Sequence, residues 1–137
     1  MDDWLELTLS LWPHADRDEL RTELEGMIGS HRGAAFITRT LEGEAVGFID
    51  LSLRHDYVPG ATASPVAFIE GVFVAEAFRG QGVAAELVRC AEGWARQKGC
   101  SQLASDARLE NTESHAFHAA TGFSEVERVV FFVKTLL

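Results

Sequence analysis

The stretch Val66-Ala67-Phe68-Ile69-Glu70-Gly71-Val72-Phe73-Val74 is almost continuously apolar, and four residues later comes Arg79-Gly80-Gln81-Gly82-Val83-Ala84. Such an apolar run suits a central strand buried on both faces. Glu70 and Gly71 interrupt it; a carboxylate followed by glycine in mid-strand predicts a β-bulge, where the ladder breaks and backbone groups are freed. After the glycines, Val83, Leu87, Ala91 and Trp94 share one helical face up to Gly99. A strand running into a glycine turn that opens a helix leaves several N–H groups pointing outward at the positive end of the helix dipole. That is an anion cradle, in which Gly80 and Gly82 permit close backbone approach and Arg79 adds charge. It lacks the Lys-Ser/Thr pair of a nucleotide-triphosphatase loop and the spacing of a dinucleotide fingerprint. Taken alone, a glycine turn of no chemical role reads the same way.

Toward the N-terminus, Trp4, Leu5, Leu7, Leu11 and Trp12 read as a short first helix that Pro13 stops. Asp16 and Glu19 are spaced like a capping box, and Leu20, Leu24, Met27 and Ile28 form an apolar stripe ending near Gly29, so a second helix is expected over 16–28. Residues 34–40 and 45–54 flank a turn at 42–44 and read as a β-hairpin. Residues 55–65 hold Pro59, Gly60 and Pro65 and make a long loop, a kind that often carries function. Beyond the glycine turn, 101–105 reads as a short strand, Asn111 caps a helix through about Thr121 that Gly122 ends, and 129–136 reads as a last strand. The expectation is one α+β domain over 1–137, with a mixed, mostly antiparallel twisted sheet flanked by helices and parallel pairing near the glycine loop.

The length, 137 residues, fits one ordinary domain. Twelve Lys and Arg against 21 Asp and Glu give a net charge of −9, which argues against a nucleic-acid binder, because tracking phosphates needs a basic face. Solubility accounts for such acidity, and a cationic partner suits it too. Cys90 and Cys100 make neither a metal site nor a disulfide framework, so reduced cytosolic thiols and no metal are expected. No leader-like opening and no spanning apolar run appear, so a soluble cytoplasmic domain without membrane attachment is expected.

Val72-Phe73-Val74 followed by Arg79-x-x-Gly82-x-Ala84 resembles the acyl-coenzyme A signature of the GCN5-related N-acetyltransferases, and Asn111 with Thr121-Gly122-Phe123 is similar to that family's second block. A closer resemblance is to the aminoglycoside 6′-N-acetyltransferases. It is carried by Leu11-Trp12-Pro13, Arg54-His55-Asp56-Tyr57-Val58, Ser64-Pro65-Val66, Phe68 to Val74, Ala104-Ser105-Asp106, Glu110-Asn111-Thr112 and Glu127-Arg128-Val129. The resemblance implies that family's fold with a central bulge and acetyl-coenzyme A as co-substrate. It implies that the glycine loop holds the coenzyme's pyrophosphate through main-chain amides, with Phe73, Val74, Arg79, Gly80, Gln81, Gly82, Val83 and Ala84 as coenzyme-binding residues and Asn111 and His118 by its pantetheine arm. It also implies transfer of acetyl to the 6′-amine of an aminoglycoside, usually by a homodimer. Two features depart from the pattern. His118 stands where many members place a tyrosine acid, and Met1 lies almost at the first helix, so the usual first strand is missing.

A polycationic acceptor calls for carboxylates, and Glu70 and Asp106 are the candidates, each otherwise an ordinary end-of-strand acid. The attacking amine must be neutral, so an acceptor for its proton is needed. Glu70 fits that place, directly or through water, though an ordinary glutamate, with a pKa of about 4.3, is a poor base unless burial raises it. By resemblance the Val74 N–H donates to the oxygen of the tetrahedral intermediate. His118 is a candidate acid for the leaving thiolate, or else a packed or exposed helix residue. Trp12, His55 and Tyr57, with Asp56, are candidates to wall the acceptor cleft, Trp12 being equally readable as core. Two other readings stay open: the same coenzyme with a polyamine, another small amine or a protein amine as acceptor, and a non-catalytic acyl-coenzyme A-binding module.

Overall fold

In the computed structural model, which describes residues 1–137, the start and stop signals act where they stand in the sequence. Helix α1 (Asp2–Leu11) runs on through the Trp12 N–H, bonded to the Thr8 carbonyl at 2.9 Å, and ends before Pro13. Helix α2 (Arg17–Ile28) is capped by the Asp16 carboxylate, which accepts the Glu19 N–H at 2.9 Å. The hairpin consists of β1 (Gly33–Arg39) and β2 (Ala45–Arg54). After the long loop come β3 (Val66–Val74), one 3₁₀ turn at Glu76–Phe78, α3 (Val83–Gln97), β4 (Leu103–Ala104) and α4 (Thr112–Ala120). The Asn111 side chain caps α4 by accepting the Ser114 N–H at 3.1 Å. Gly122, at φ 95°, closes it as the Phe123 N–H reaches the His118 carbonyl at 2.9 Å.

Residues 1–106 and 107–137 form two compact units. The first holds a sheet in the order β1-β2-β3-β4, antiparallel except for the β3–β4 pair. Alternation along β2 decides what each face meets. Phe48 packs with Trp4, Leu5, Leu7, Leu20 and Leu24 under α1 and α2. Gly47 turns the other way, where a side chain would touch Val83 and Leu87 of α3. Helices thus flank both faces, in agreement with the α+β reading. The expected bulge is present, with the β2–β3 register shifting between Asp50 and Leu51, opposite Gly71 and Ile69. Within residues 1–137 the first element is α1.

Two expectations need correction. The strand expected over 101–105 is only Leu103–Ala104, because β3 and β4 pair at just two positions before diverging. The segment 129–136 is not a strand: a strand requires a ladder partner, and no strand of the sheet pairs with it. Val129, Val130, Phe131, Phe132, Val133 and Leu136 are instead exposed.

Replacing the α2 cap, Asp16→Ala, should cost about 1 kcal/mol. Chemical denaturation would show a lower midpoint at unchanged slope.

Candidate active site

The bulge sets which way the backbone of β3 points. The Ala75 N–H bonds to the Val46 carbonyl at 2.8 Å, so the alternation of an antiparallel ladder makes Phe73 and Phe48 the next hydrogen-bonded pair and leaves Val74, opposite Gly47, with its N–H turned away from β2. On that outer edge β4 pairs only with Ala67 and Phe68. The main chain of β3 beyond those residues therefore has no neighbouring strand on that edge, and the Val74 N–H is left there without a ladder partner, where a ligand oxygen can accept it. Phe73 is different: its amide belongs to the β2 ladder.

Through one 3₁₀ turn, β3 leads into the glycine turn. Gly80 and Gly82 have φ of 77° and 83°, the left-handed region that other residues resist, and no atom lies within 4 Å of where a side chain would sit on either. The first helical bond of α3 is from the Glu86 N–H to the Gly82 carbonyl, at 3.0 Å, and no side chain caps the helix. The amides of Gly80, Gln81, Gly82, Val83, Ala84 and Ala85 accordingly have no acceptor in the protein. Arg79 Nε donates to the Val74 carbonyl at 2.8 Å, and its guanidinium lies over the Phe73 ring at 5.6 Å. It ties the end of β3 to the turn. These open amides suit a polyphosphate such as that of coenzyme A.

On the α1/α2 face, β2 changes from apolar to polar along its length: Phe48, Asp50, Ser52, Arg54. Glu70 meets the polar end. Ser52 Oγ donates to its carboxylate at 2.5 Å, and Arg54 Nη2 lies 2.9 and 3.2 Å from its two oxygens. The Arg54 guanidinium also stacks on the Phe68 ring at 3.6 Å. Glu70 is thus held in place but already paired with a cation, a partnership that its own position in the sequence does not reveal. Asp106 stands two residues beyond Ala104, as Glu70 stands two beyond Phe68, the last pair of the parallel ladder. The two acids follow the same register on diverging strands.

Asp50 was not among the expected site residues, although an acid between Phe48 and Ser52 on an inward-facing strand position was the available signal. It is 2% exposed, accepts the Trp4 indole N–H at 3.3 Å through Oδ2, and has no hydrogen-bond partner for Oδ1. Burial pushes its pKa from 3.8 up to about 7; the Glu70 and Glu23 charges add to the rise, and the Trp4 indole and Gly71 amide oppose it. Gly71 lies directly opposite, where a side chain would stand 3.0 Å from Asp50 Oδ1 and 3.1 Å from Trp12 Cη2. The Trp12 ring therefore covers the bulge while 42% exposed, part wall and part core.

The loop after β2 is anchored by buried Val58, packed with Val66 and Phe68, and by Gln102, whose side-chain oxygen accepts the Thr62 and Ala63 N–H groups at 2.7 and 3.2 Å. Its first residues, His55, Asp56 and exposed Tyr57, line a cavity of about 450 Å³ with Arg32, Leu53 and Arg54. Arg54 is shared by this cavity and the Glu70 network. In the second unit, the Asn111 side-chain oxygen is used as the α4 cap. The His118 Nδ1 lies 2.6 Å from the Ser114 carbonyl, and its ring meets Phe117 and Phe123 edge-on. That contact assigns the Nδ1–H tautomer to the neutral ring, so donation from Nε2 requires the imidazolium.

A central bulge, an open strand edge and a bare glycine turn opening a helix define an acyl-coenzyme A transferase fold, and the chain belongs to the acetyltransferase (GNAT) family, whose sequence profile matches residues 1–123. The aminoglycoside N(6′)-acetyltransferase type 1 of Serratia marcescens is 47% identical to it over 136 residues, covering 99% of this chain and 93% of that one. The protein of the same name from Salmonella typhimurium is 43% identical, covering 98% and 92%. Among solved structures, AAC(6′)-Iy in complex with the bisubstrate analogue CoA-S-monomethyl-acetylneamine superposes with a TM-score of 0.93 at 42% identity, covering 98% of this chain and 91% of that one. The ligand-free AAC(6′)-Ig of Acinetobacter haemolyticus gives 0.92 at 38% identity, covering 98% and 92%.

Gly71→Ala should displace the Trp12 ring and cost about 1–3 kcal/mol by overpacking; tryptophan fluorescence and a denaturation midpoint measure both. The Asp50 carboxyl keeps its proton to about pH 7 in the folded chain and loses it near 3.8 when unfolded, so its stabilising contribution is complete below 3.8 and is lost as pH rises through 7. Between pH 5 and 8 the wild type should lose roughly 2–3 kcal/mol relative to Asp50→Asn, which denaturation at the two pH values would show.

Proposed function

We propose that this chain is an aminoglycoside 6′-N-acetyltransferase, acting over residues 1–137 as one domain in the cytoplasm, and that it confers resistance to the drugs it modifies. The observation that carries the coenzyme half of this reading is the row of acceptor-less amides from Gly80 to Ala85 beside the open edge of β3. The relatives' shared name carries the acceptor half. The Gly80 to Ala84 main chain holds the pyrophosphate of acetyl-coenzyme A, with Arg79 bracing the turn. The Val74 N–H donates to the thioester carbonyl oxygen as negative charge develops there. The drug's 6′-amine, once neutral, attacks that carbonyl in a ternary complex, the C–S bond breaks, and the thiolate leaves; alignment of the two reactants supplies much of the rate. Glu70 and Asp106 bind the drug's ammonium groups, and Glu70 takes the proton of the attacking amine, directly or through water. Trp12, His55 and Tyr57 flank the sugar rings. Asn111 and His118 serve the pantetheine end, with the His118 imidazolium as the proton donor to the thiolate. The free cysteines Cys90 and Cys100 fit a reducing compartment.

The assembly is a homodimer in this reading. Phe131, Phe132 and Val133 are each at least 90% exposed in a run of β-forming residues without a ladder partner, and a second copy supplies the strand that would cover them.

Thiol release from acetyl-coenzyme A should occur with kanamycin or tobramycin. Turnover confined to polyamines or protein amines, or coenzyme binding with no turnover at all, would refute the assignment. Glu70→Ala and Asp106→Ala should raise the KM for the drug about tenfold or more while leaving coenzyme affinity unchanged; equal loss of both ligands contradicts their placement. Phe131→Glu with Val133→Glu should yield a monomer by analytical ultracentrifugation, whereas an unchanged sedimentation coefficient would exclude the dimer contact.

A further inference from the structure

Around the bulge the acid on the central strand already has a cationic partner. Glu70, the acid on the central strand, is neutralised by Arg54, and the adjoining cavity balances Asp56 against Arg32. Glu70 by itself therefore offers an ammonium group little net attraction, and Asp106 is left as the other acid of the site. One further acid lies beneath the bulge: Asp50, opposite Gly71, with one oxygen unpartnered and no room for a side chain between it and the glycine. The elements packed against Asp50 bring it no compensating cation. Glu70 faces it from β3 and Glu23 from α2, α1 offers the neutral Trp4 indole, and β1 places Ala35 opposite.

We propose that Asp50 is a positioning residue for the acceptor, acting through Glu70: its buried negative charge tips the Glu70–Arg54 pair toward binding an ammonium group, so that Glu70 receives the acceptor's charge only while Asp50 is ionised. This rests on the aminoglycoside reading and deepens it. A charge withdrawn from water is weakly screened, so it acts across the bulge more strongly than a surface acid would. Because burial holds the Asp50 proton to about pH 7, the attraction switches on through neutral pH.

The experiment is calorimetric titration of kanamycin into the coenzyme A complex of the full chain from pH 5.5 to 8.5, for wild type, Asp50→Asn and Trp4→Phe. Asparagine preserves the shape and the bond from Trp4 but not the charge. The affinity ratio of wild type to Asp50→Asn should be near one at pH 5.5 and about tenfold at pH 8.5. Trp4→Phe removes the donor that favours the charged carboxylate, so its affinity should rise through a midpoint at higher pH than in wild type. A merely structural Asp50 would weaken binding equally at every pH. A pH-independent ratio, or a Trp4→Phe midpoint equal to that of wild type, overturns the proposal, and the latter comparison decides should Asp50→Asn fail to fold. Kanamycin turnover by the wild type, assayed alongside, separates the two levels: turnover with a flat ratio refutes Asp50 alone, and absence of turnover refutes the acceptor assignment as well.

Discussion

One misfit in the ladder governs the site. Two residues of β3 meet a single residue of β2 at the bulge, and that extra residue reverses which amides point outward for the rest of the strand. Without it, the Val74 amide would be spent on β2. With it, Val74 turns toward the edge that β4 leaves uncovered after Phe68. The same discontinuity puts Glu70 on the face that carries Ser52 and Arg54 and sets Gly71 over Asp50. Donor, acid and buried charge are therefore consequences of one register shift, which explains why glycine stands at 71: a larger residue would have to displace both a carboxylate and an indole.

The two ends of the site are organised by different physics. At the coenzyme end the protein withholds acceptors, leaving amides at a helix N-terminus that water solvates until a ligand replaces it. At the acceptor end it oversupplies partners, so that Glu70 is fixed by a hydroxyl and a guanidinium before any substrate arrives. Such fixing favours a defined geometry at the expense of bare electrostatic pull. In the reading we propose, Glu70 and Asp106 together hold a polycation with several ammonium groups.

Much of this was legible in the residues. Gly-punctuated apolar runs located β3 to the residue and α3 at its first residue, though the helix stops at Gln97, short of Gly99, and Asp16 and Asn111 announced the helices they cap. Glu70-Gly71 marked the bulge, and Gly80 and Gly82 marked the cradle. What escaped reading depends on partners distant in sequence. No local pattern says that Arg54 reaches across to Glu70, that Arg79 spends its Nε on a carbonyl, or that the Trp4 indole lies against Asp50, 46 residues away. The run at 129–136 has the composition of a strand, but composition cannot supply the neighbouring strand that turns it into one. The shortness of β4 has the same origin, since it is set by where β3 and β4 part and not by the propensities of 101–105.

The central claim is that particular main-chain N–H groups, left without acceptors by the fold, are what grip the acyl carrier. Residue-resolved amide hydrogen exchange with and without acetyl-coenzyme A tests it most directly. Exchange at Val74 and at Gly80 through Ala85 should slow markedly on addition of the coenzyme, while β1 amides stay unchanged. Equal exchange at those seven positions under saturating coenzyme would contradict the account.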